Sequence, residues 1–154
     1  MIQRIQTIYL LIADLLIAIL LFLPFAEIAG GKGNLFLFGI LGVVAEGGTV
    51  GIPQQTTLPI AVVVVLNLLL LTFIIFQYKK RPLQIKLSYV SILLLLFLAA
   101  IIYFYVWQVS NQLGGNYAIK ISTYLPLVAT VLVYLAIKGI VKDEKLVKSI
   151  DRIR

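Results

Sequence analysis

The sequence predicts an all-α integral membrane protein: an antiparallel bundle of four transmembrane helices whose first outer loop forms a small β-hairpin or a re-entrant flap. Three observations predict it. Hydrophobic residues make up 62% of the 154 residues and charged ones 12%, with a mean hydropathy of +1.09, far from the usage of soluble domains. Four apolar stretches, 5–28, 58–78, 87–109 and 121–141, match the roughly 20 helical residues that cross a hydrocarbon core of about 30 Å. Positive charge is one-sided: of the 13 Lys and Arg, only Lys32 and Lys120 fall between stretches one and two or three and four.

Within the first stretch, 5–28, the run from Tyr9 to Phe25 is apolar apart from Asp14. Its length, its Asp and the missing A-x-A pattern near Ala29 argue against a cleaved signal peptide. A centrally placed Asp costs roughly 2.5–3.5 kcal/mol on insertion, and the Leu, Ile and Phe around it return about 0.3–0.6 each, so the segment still inserts. On a helical wheel Gln3, Thr7, Asp14 and Ala18 share an arc of about 60°, which predicts the protein-facing stripe.

The loop 29–57 contains ten apolar residues, 35–44, too few to span, followed by the turn signal Glu46-Gly47-Gly48-Thr49, hence the hairpin or flap. In stretch two, Asn67 is the one strongly polar residue near the middle, suited to hydrogen bonding between helices. The link KKRPLQIK is short and makes stretches two and three antiparallel neighbours, with Pro82 at the turn. In stretch three, Ser88, Ser91 and Ala99 offer a small-residue face for close approach. Beyond it, Trp107, Tyr105, Tyr117 and Tyr124 gather around the link at Gly114-Gly115-Asn116 as an interfacial aromatic belt.

Stretch four carries a second polar stripe, Thr123, Thr130, Tyr134 and Lys138, within an arc of about 80°. Pro24 and Pro126 lie toward the outer ends, where they would kink helices one and four or open a site. The tail 142–154, with Leu146, Ile150 and Ile153 at helical spacing and Glu144 four residues before Lys148, predicts a basic amphipathic helix running on from stretch four.

Asp14 lies roughly 12–14 Å from one end of helix one, and Tyr134 and Lys138 about 10 and 5 Å from the matching end of helix four. Side chains lean toward the amino terminus of their helix, so the charged ends of Asp14 and Lys138 converge. The expectation is an intramembrane polar cluster of Asp14, Tyr134, Lys138, Thr130 and Asn67, with Asp14 held by Lys138 and the Tyr134 hydroxyl.

By the positive-inside rule, both termini and the 79–86 link are cytoplasmic, and the net charge of +7 meets anionic lipid headgroups. Nucleic-acid binding is disfavoured, because the basic residues flank apolar helices and no aromatic-basic recognition motif accompanies them. Cys and His are absent, which removes disulfides, thiolate nucleophiles, the commonest metal ligand and the usual proton shuttle. No G-x-S-x-G, H-E-x-x-H or nucleotide-binding glycine loop is present. The chain therefore reads as a non-enzyme, with no catalytic, cofactor-binding or metal-ligating residues assigned.

The opening MIQRIQTIYLLIA and the closing KDEKLVKSIDRIR resemble the ends of small four-helix bacterial membrane proteins grouped as domain-of-unknown-function family 4293. The resemblance implies a multi-pass inner-membrane protein without an established activity, so no site residue is transferred. Two functional readings follow. The first is a scaffold or accessory subunit of a membrane complex, with a membrane-protein partner or a second copy. The second is an oligomeric transporter for a small solute, or a proton-coupled one, in which Asp14 is the ion site.

Overall fold

The first apolar stretch does not stay helical to its end. In the computed structural model, which describes residues 3–29, 35–45, 57–78, 80–113 and 116–151, helix α1 covers Gln3–Ile19 and stops nine residues before position 28. The amides of Leu20, Leu21 and Phe22 bond to the carbonyls of Ile17, Ala18 and Ile19 at 3.2, 3.1 and 3.1 Å, the i to i−3 pattern that tightens a last turn. Pro24 then supplies no N–H and forces Leu23 out of the helical region. The chain leaves as strand β1, Ala26–Ala29.

Helix α2 is Leu58–Phe76, with Pro59 in the first turn, where a missing N–H is no loss. Helix α3, Arg81–Leu113, extends past 87–109 at both ends. Pro82 does not make the turn before it; it occupies the first turn of α3 for the same reason as Pro59 in α2. The link is closed instead by Gln77 N–H to Ile74 O (3.1 Å) and Lys80 N–H to Gln77 O (3.0 Å). The Gln84 side chain reaches back to Ile74 O at 3.2 Å. A 3₁₀ turn, Ile121–Tyr124, leads into helix α4, Leu125–Asp151, so the basic tail continues the fourth helix; residues 152–154 lie outside the described residues.

The loop between α1 and α2 and the link between α3 and α4 join in one antiparallel sheet. Strands β2 (Leu35–Gly39), β3 (Gly42–Ala45) and β4 (Tyr117–Ile119) add to β1 in the order β3-β2-β1-β4. The register sets Ala26 opposite Phe38 and Ile119, and Phe38 opposite Val43. The first loop thus forms a hairpin, β2–β3, and two further strands come from segments read as the end of helix one and as a plain link. The hairpin turns at Ile40-Leu41, where neither residue has a positive φ; Gly42 takes it, at 106°, a conformation only glycine adopts freely. The turn signal at Glu46-Gly47-Gly48-Thr49 lies outside the described residues.

The helices pack in the cyclic order α1, α2, α3, α4, with the largest interface between α1 and α4. Alternating direction puts the sheet at one end of the bundle and both ends of the described chain at the other. Leu10, Ala13 and Ile17 on α1, Leu20 in the turn after it, Val64 and Leu71 on α2, Leu95, Leu98 and Ile102 on α3, and Ala129, Val133 and Ala136 on α4 are fully buried. Phe25, Ile28 and Phe38 extend the same core into the sheet, where the rings of Phe25 and Phe38 meet edge-on at 5.8 Å. Side chains stitch sheet to bundle: Thr123 Oγ1 donates to Phe25 O at 2.7 Å, Ser122 Oγ to Pro24 O, and Thr57 Oγ1 to Ile40 O at 2.5 Å.

Large apolar side chains also cover the outside, among them Leu11, Leu15, Leu69, Phe73, Leu93, Phe97, Val131 and Leu135. Three of the four helices, α2, α3 and α4, are long and apolar enough to cross a membrane, and α1 is a shorter apolar helix.

Candidate functional site: polar groups in an apolar bundle

Asp14 lies on the α2 side of α1. Its Oδ2 accepts a hydrogen bond from Thr72 Oγ1 at 3.1 Å, and its Oδ1 is buried with no hydrogen-bond partner. Lys138 sits one turn after Tyr134 on the exposed face of α4, with Nζ 4.8 Å from the ring centroid, a cation–π contact within one helix. The expected pairing of Asp14 with Lys138 and the Tyr134 hydroxyl is not made. The reason is rotational. The buried stripe of α1 is Gln6, Leu10, Ala13 and Ile17, continued by Leu20 in the turn, about 90° around the helix from the stripe defined by its polar residues.

Thr130 and Asn67, also in the expected cluster, bond within their own helices. Thr130 Oγ1 donates to Pro126 O at 2.8 Å and Asn67 Nδ2 to Val63 O at 3.0 Å, each back to the preceding turn. The five residues are not gathered into one cluster.

Polar links missed in the sequence lie closer to the chain ends. Gln6 Nε2 donates to Asp143 Oδ2 at 2.6 Å, joining α1 to α4 in a buried contact. Beside it, a Cβ placed on Gly139 would meet Gln6 Cγ at 2.7 Å, so α4 presents bare backbone where the Gln6 side chain crosses. The available signal was spacing: Gln6 precedes Leu10, Ala13 and Ile17 at intervals of four, three and four, the period of a packed face.

By helical rise, Ala13, Asn67, Ser91 and Ala136 share a depth of about 15 Å from the terminus end of the bundle. All four are fully buried, so alanines and a serine leave room for the Asn67 amide. Asn67 Oδ1 and Ser91 Oγ have no hydrogen-bond partner, whereas Ser88 Oγ donates to Gln84 O at 2.8 Å. Among the described residues, no three Asp or Glu side chains come together as a metal site would require.

At the sheet end, Lys120 Nζ pairs with Glu27 Oε1 at 2.5 Å, both side chains part-exposed. The Tyr117 hydroxyl is held above the ordinary phenol value by hydrogen bonding with Tyr103, reinforced by Coulombic repulsion between the two. Beside the hairpin lies an open cleft of about 260 Å³ lined by apolar side chains and glycines, with some backbone polar atoms at its surface, between the 21–24 turn and strands β2 and β3.

These links tie the first turns of the chain to its last helix, so the sequence motifs of both ends belong to one structural unit. A family model matches residues 2–153, nearly the whole chain. The chain belongs to the DUF4293 family, a domain of unknown function. No curated protein matches it.

Proposed function

We propose that this DUF4293 protein is an integral membrane protein with four spans that serves as a non-enzymatic scaffold or accessory subunit of a membrane complex. In this reading it sits in the bacterial plasma membrane with both termini in the cytoplasm and the sheet on the outer side. The apolar belt supports the membrane seat, and the charge asymmetry supports the orientation: Lys80, Arg81, Lys86 and Lys142 belong to the terminus end, where anionic headgroups attract them. At 1.5 Å per residue, α3 and α4 are about 50 and 40 Å long, more than the hydrocarbon thickness of about 30 Å, so both reach into water. Their projecting turns are the natural contacts for a membrane-protein partner or a second copy.

The observation that carries the scaffold reading is the closed core. Leu10, Ile17, Leu71, Leu95, Ile102 and Val133 are fully buried against one another along the bundle axis, and interiors packed in this way leave no room for a solute path. The second reading, a transporter, is favoured by one feature: Asp14 has an unpartnered oxygen on the α1–α2 seam, and an acidic group inside a membrane segment is a candidate ion site.

Purification in mild detergent from native membranes tests the two. A stoichiometric membrane-protein partner, or a defined homo-oligomer, is the expected result. A lone monomer that drives Asp14-dependent solute uptake in liposomes would overturn the scaffold reading.

A further inference from the structure

Helix α1 is too short for the membrane it is assigned to. Its 17 residues span about 25 Å, some 5 Å less than a hydrocarbon core of about 30 Å. The tightened turn through Leu20, Leu21 and Phe22 adds about 2 Å per residue, so the apolar boundary on this side falls at Phe22–Phe25. The hairpin tip stands at the same level. A Cβ on Gly39 would lie 3.5 Å from Pro24 Cα, and the carbonyl of Ile40 is held at 2.5 Å by Thr57, the residue that opens α2. Helix α2, with 19 residues, puts that point about 28 Å from the opposite end of the bundle.

Phe22 and Leu41, at 85% and 91% exposure, are the most exposed large apolar side chains among the described residues. They rim the 260 Å³ cleft, whose walls are Leu23, Pro24, Leu37 and Val44. Taken with the membrane seat proposed above, on which this inference rests, we propose that acyl chains of the outer leaflet fill this cleft and that the β2–β3 hairpin is seated in the membrane rather than standing in water. The bilayer is thereby the partner of the short first span: turn and hairpin complete the apolar thickness that α1 lacks.

The backbone of the 20–25 segment, unlike the open outer edge of β3, supplies a further reason. Non-helical chain in contact with lipid must have its polar groups satisfied within the protein. The N–H groups of Leu20, Leu21 and Phe22 are bonded within the turn, that of Phe25 to Phe38 O at 2.6 Å, and Pro24 has none. The carbonyl of Pro24 accepts from Ser122, and that of Phe25 from Thr123 and from the Lys120 amide at 2.9 Å. Hydroxyl donors from the 3₁₀ turn before α4 thus converge on a segment that water alone would have satisfied at no cost, and Thr57, just before α2, does the same for Ile40 O at the hairpin tip. This pattern suits a dry surrounding.

The experiment uses the full chain in liposomes with the single Trp107 changed to Phe, and one tryptophan returned by Leu41→Trp at the hairpin tip. Leu96→Trp, on the half-exposed face of α3, serves as the membrane reference. Lipids brominated along their acyl chains should quench Leu41→Trp to the same degree as Leu96→Trp, with a blue-shifted emission in both. Quenching of Leu96→Trp alone, with water-like emission from Leu41→Trp, overturns the seated hairpin and leaves the membrane reading intact. A blue-shifted but unquenched Leu41→Trp means that a second copy or another protein fills the cleft, which also overturns it. Quenching of neither removes the membrane reading and this inference with it. Phe22→Trp reports the same level from the other wall, should Leu41→Trp disturb the turn.

Discussion

Replacing Gly139 by Ala should destabilise the protein, although Ala is the better helix former. In the interior of α4 the exchange gains about 1 kcal/mol of helix propensity. Against this, the new Cβ would lie 2.7 Å from Gln6 Cγ and 3.3 Å from its Cδ, closer than carbon atoms pack. Gln6 is 7% exposed and held to Asp143 at 2.6 Å, so it yields only by giving up that bond. A hydrogen bond to a charged acceptor contributes about 1.5–3 kcal/mol, more if the carboxylate stays buried and unpaired. The net loss is therefore about 0.5–2 kcal/mol, and at about 2–4 °C per kcal/mol for a chain of this size the melting temperature falls by about 1–8 °C. The assay is thermal unfolding in mild detergent followed by helical circular dichroism. A second variant supplies a sign test: in a Gln6→Ala background the obstruction is gone, and Gly139→Ala should raise the melting temperature by its propensity gain. A rise for Gly139→Ala alone would refute the reasoning, since Gln6 would then not be pinned.

Gln6→Glu should place two carboxylates in the Gln6–Asp143 contact, where like charges raise the affinity for a proton; stability should be lost at neutral pH and regained on acidification, read as melting temperature against pH. In double-mutant cycles, Asp14→Ala and Thr72→Val should couple by about 0.5–1.5 kcal/mol, whereas Asp14→Ala and Lys138→Ala should add within about 0.5 kcal/mol; coupling of the second pair would show that the two side chains meet. Phe25→Ala removes a fully buried ring and should cost about 3–5 kcal/mol in the same unfolding assay. Glu27→Ala breaks a part-exposed ion pair and should cost no more than about 1 kcal/mol, a difference that salt erases.

How much was legible depended on which physical force the pattern records. Apolar length marks α2 and α4 plainly, because a stretch must be apolar throughout to lie in hydrocarbon. It overstated α1, since 26–29 is as apolar in composition as the helix before it, and only pairing with residues 35–38 and 117–119 makes it a strand. The hairpin could be expected from a run too short to span, but its place in one sheet with β4, through β1, depends on pairings such as Ala26 with Ile119, far apart in the chain. Glu27 and Lys120 become partners through that same joining.

The site expectation failed for a related reason. In a soluble helix, polar residues mark the outside and apolar ones the core, so the wheel has a direction. Here the outward faces of the helices are apolar as well, and what distinguishes the packed face is small or closely fitting side chains. Asp14 was conspicuous because it is charged, yet it sits at the edge of the packed face and bonds to Thr72. Gln6 and Gly139 were inconspicuous, and they make the tight crossing of α1 and α4.

The sequence by itself determined composition, charge asymmetry, the four apolar stretches and the short links that make neighbouring helices antiparallel, all of which are properties of segments and of their order along the chain. Only the tertiary structure decided where α1 stops, which strands share a sheet, and which polar groups find each other. Those outcomes depend on the rotation and depth of each helix against its neighbours, and a side chain of uniform hydrophobicity all round carries no record of either.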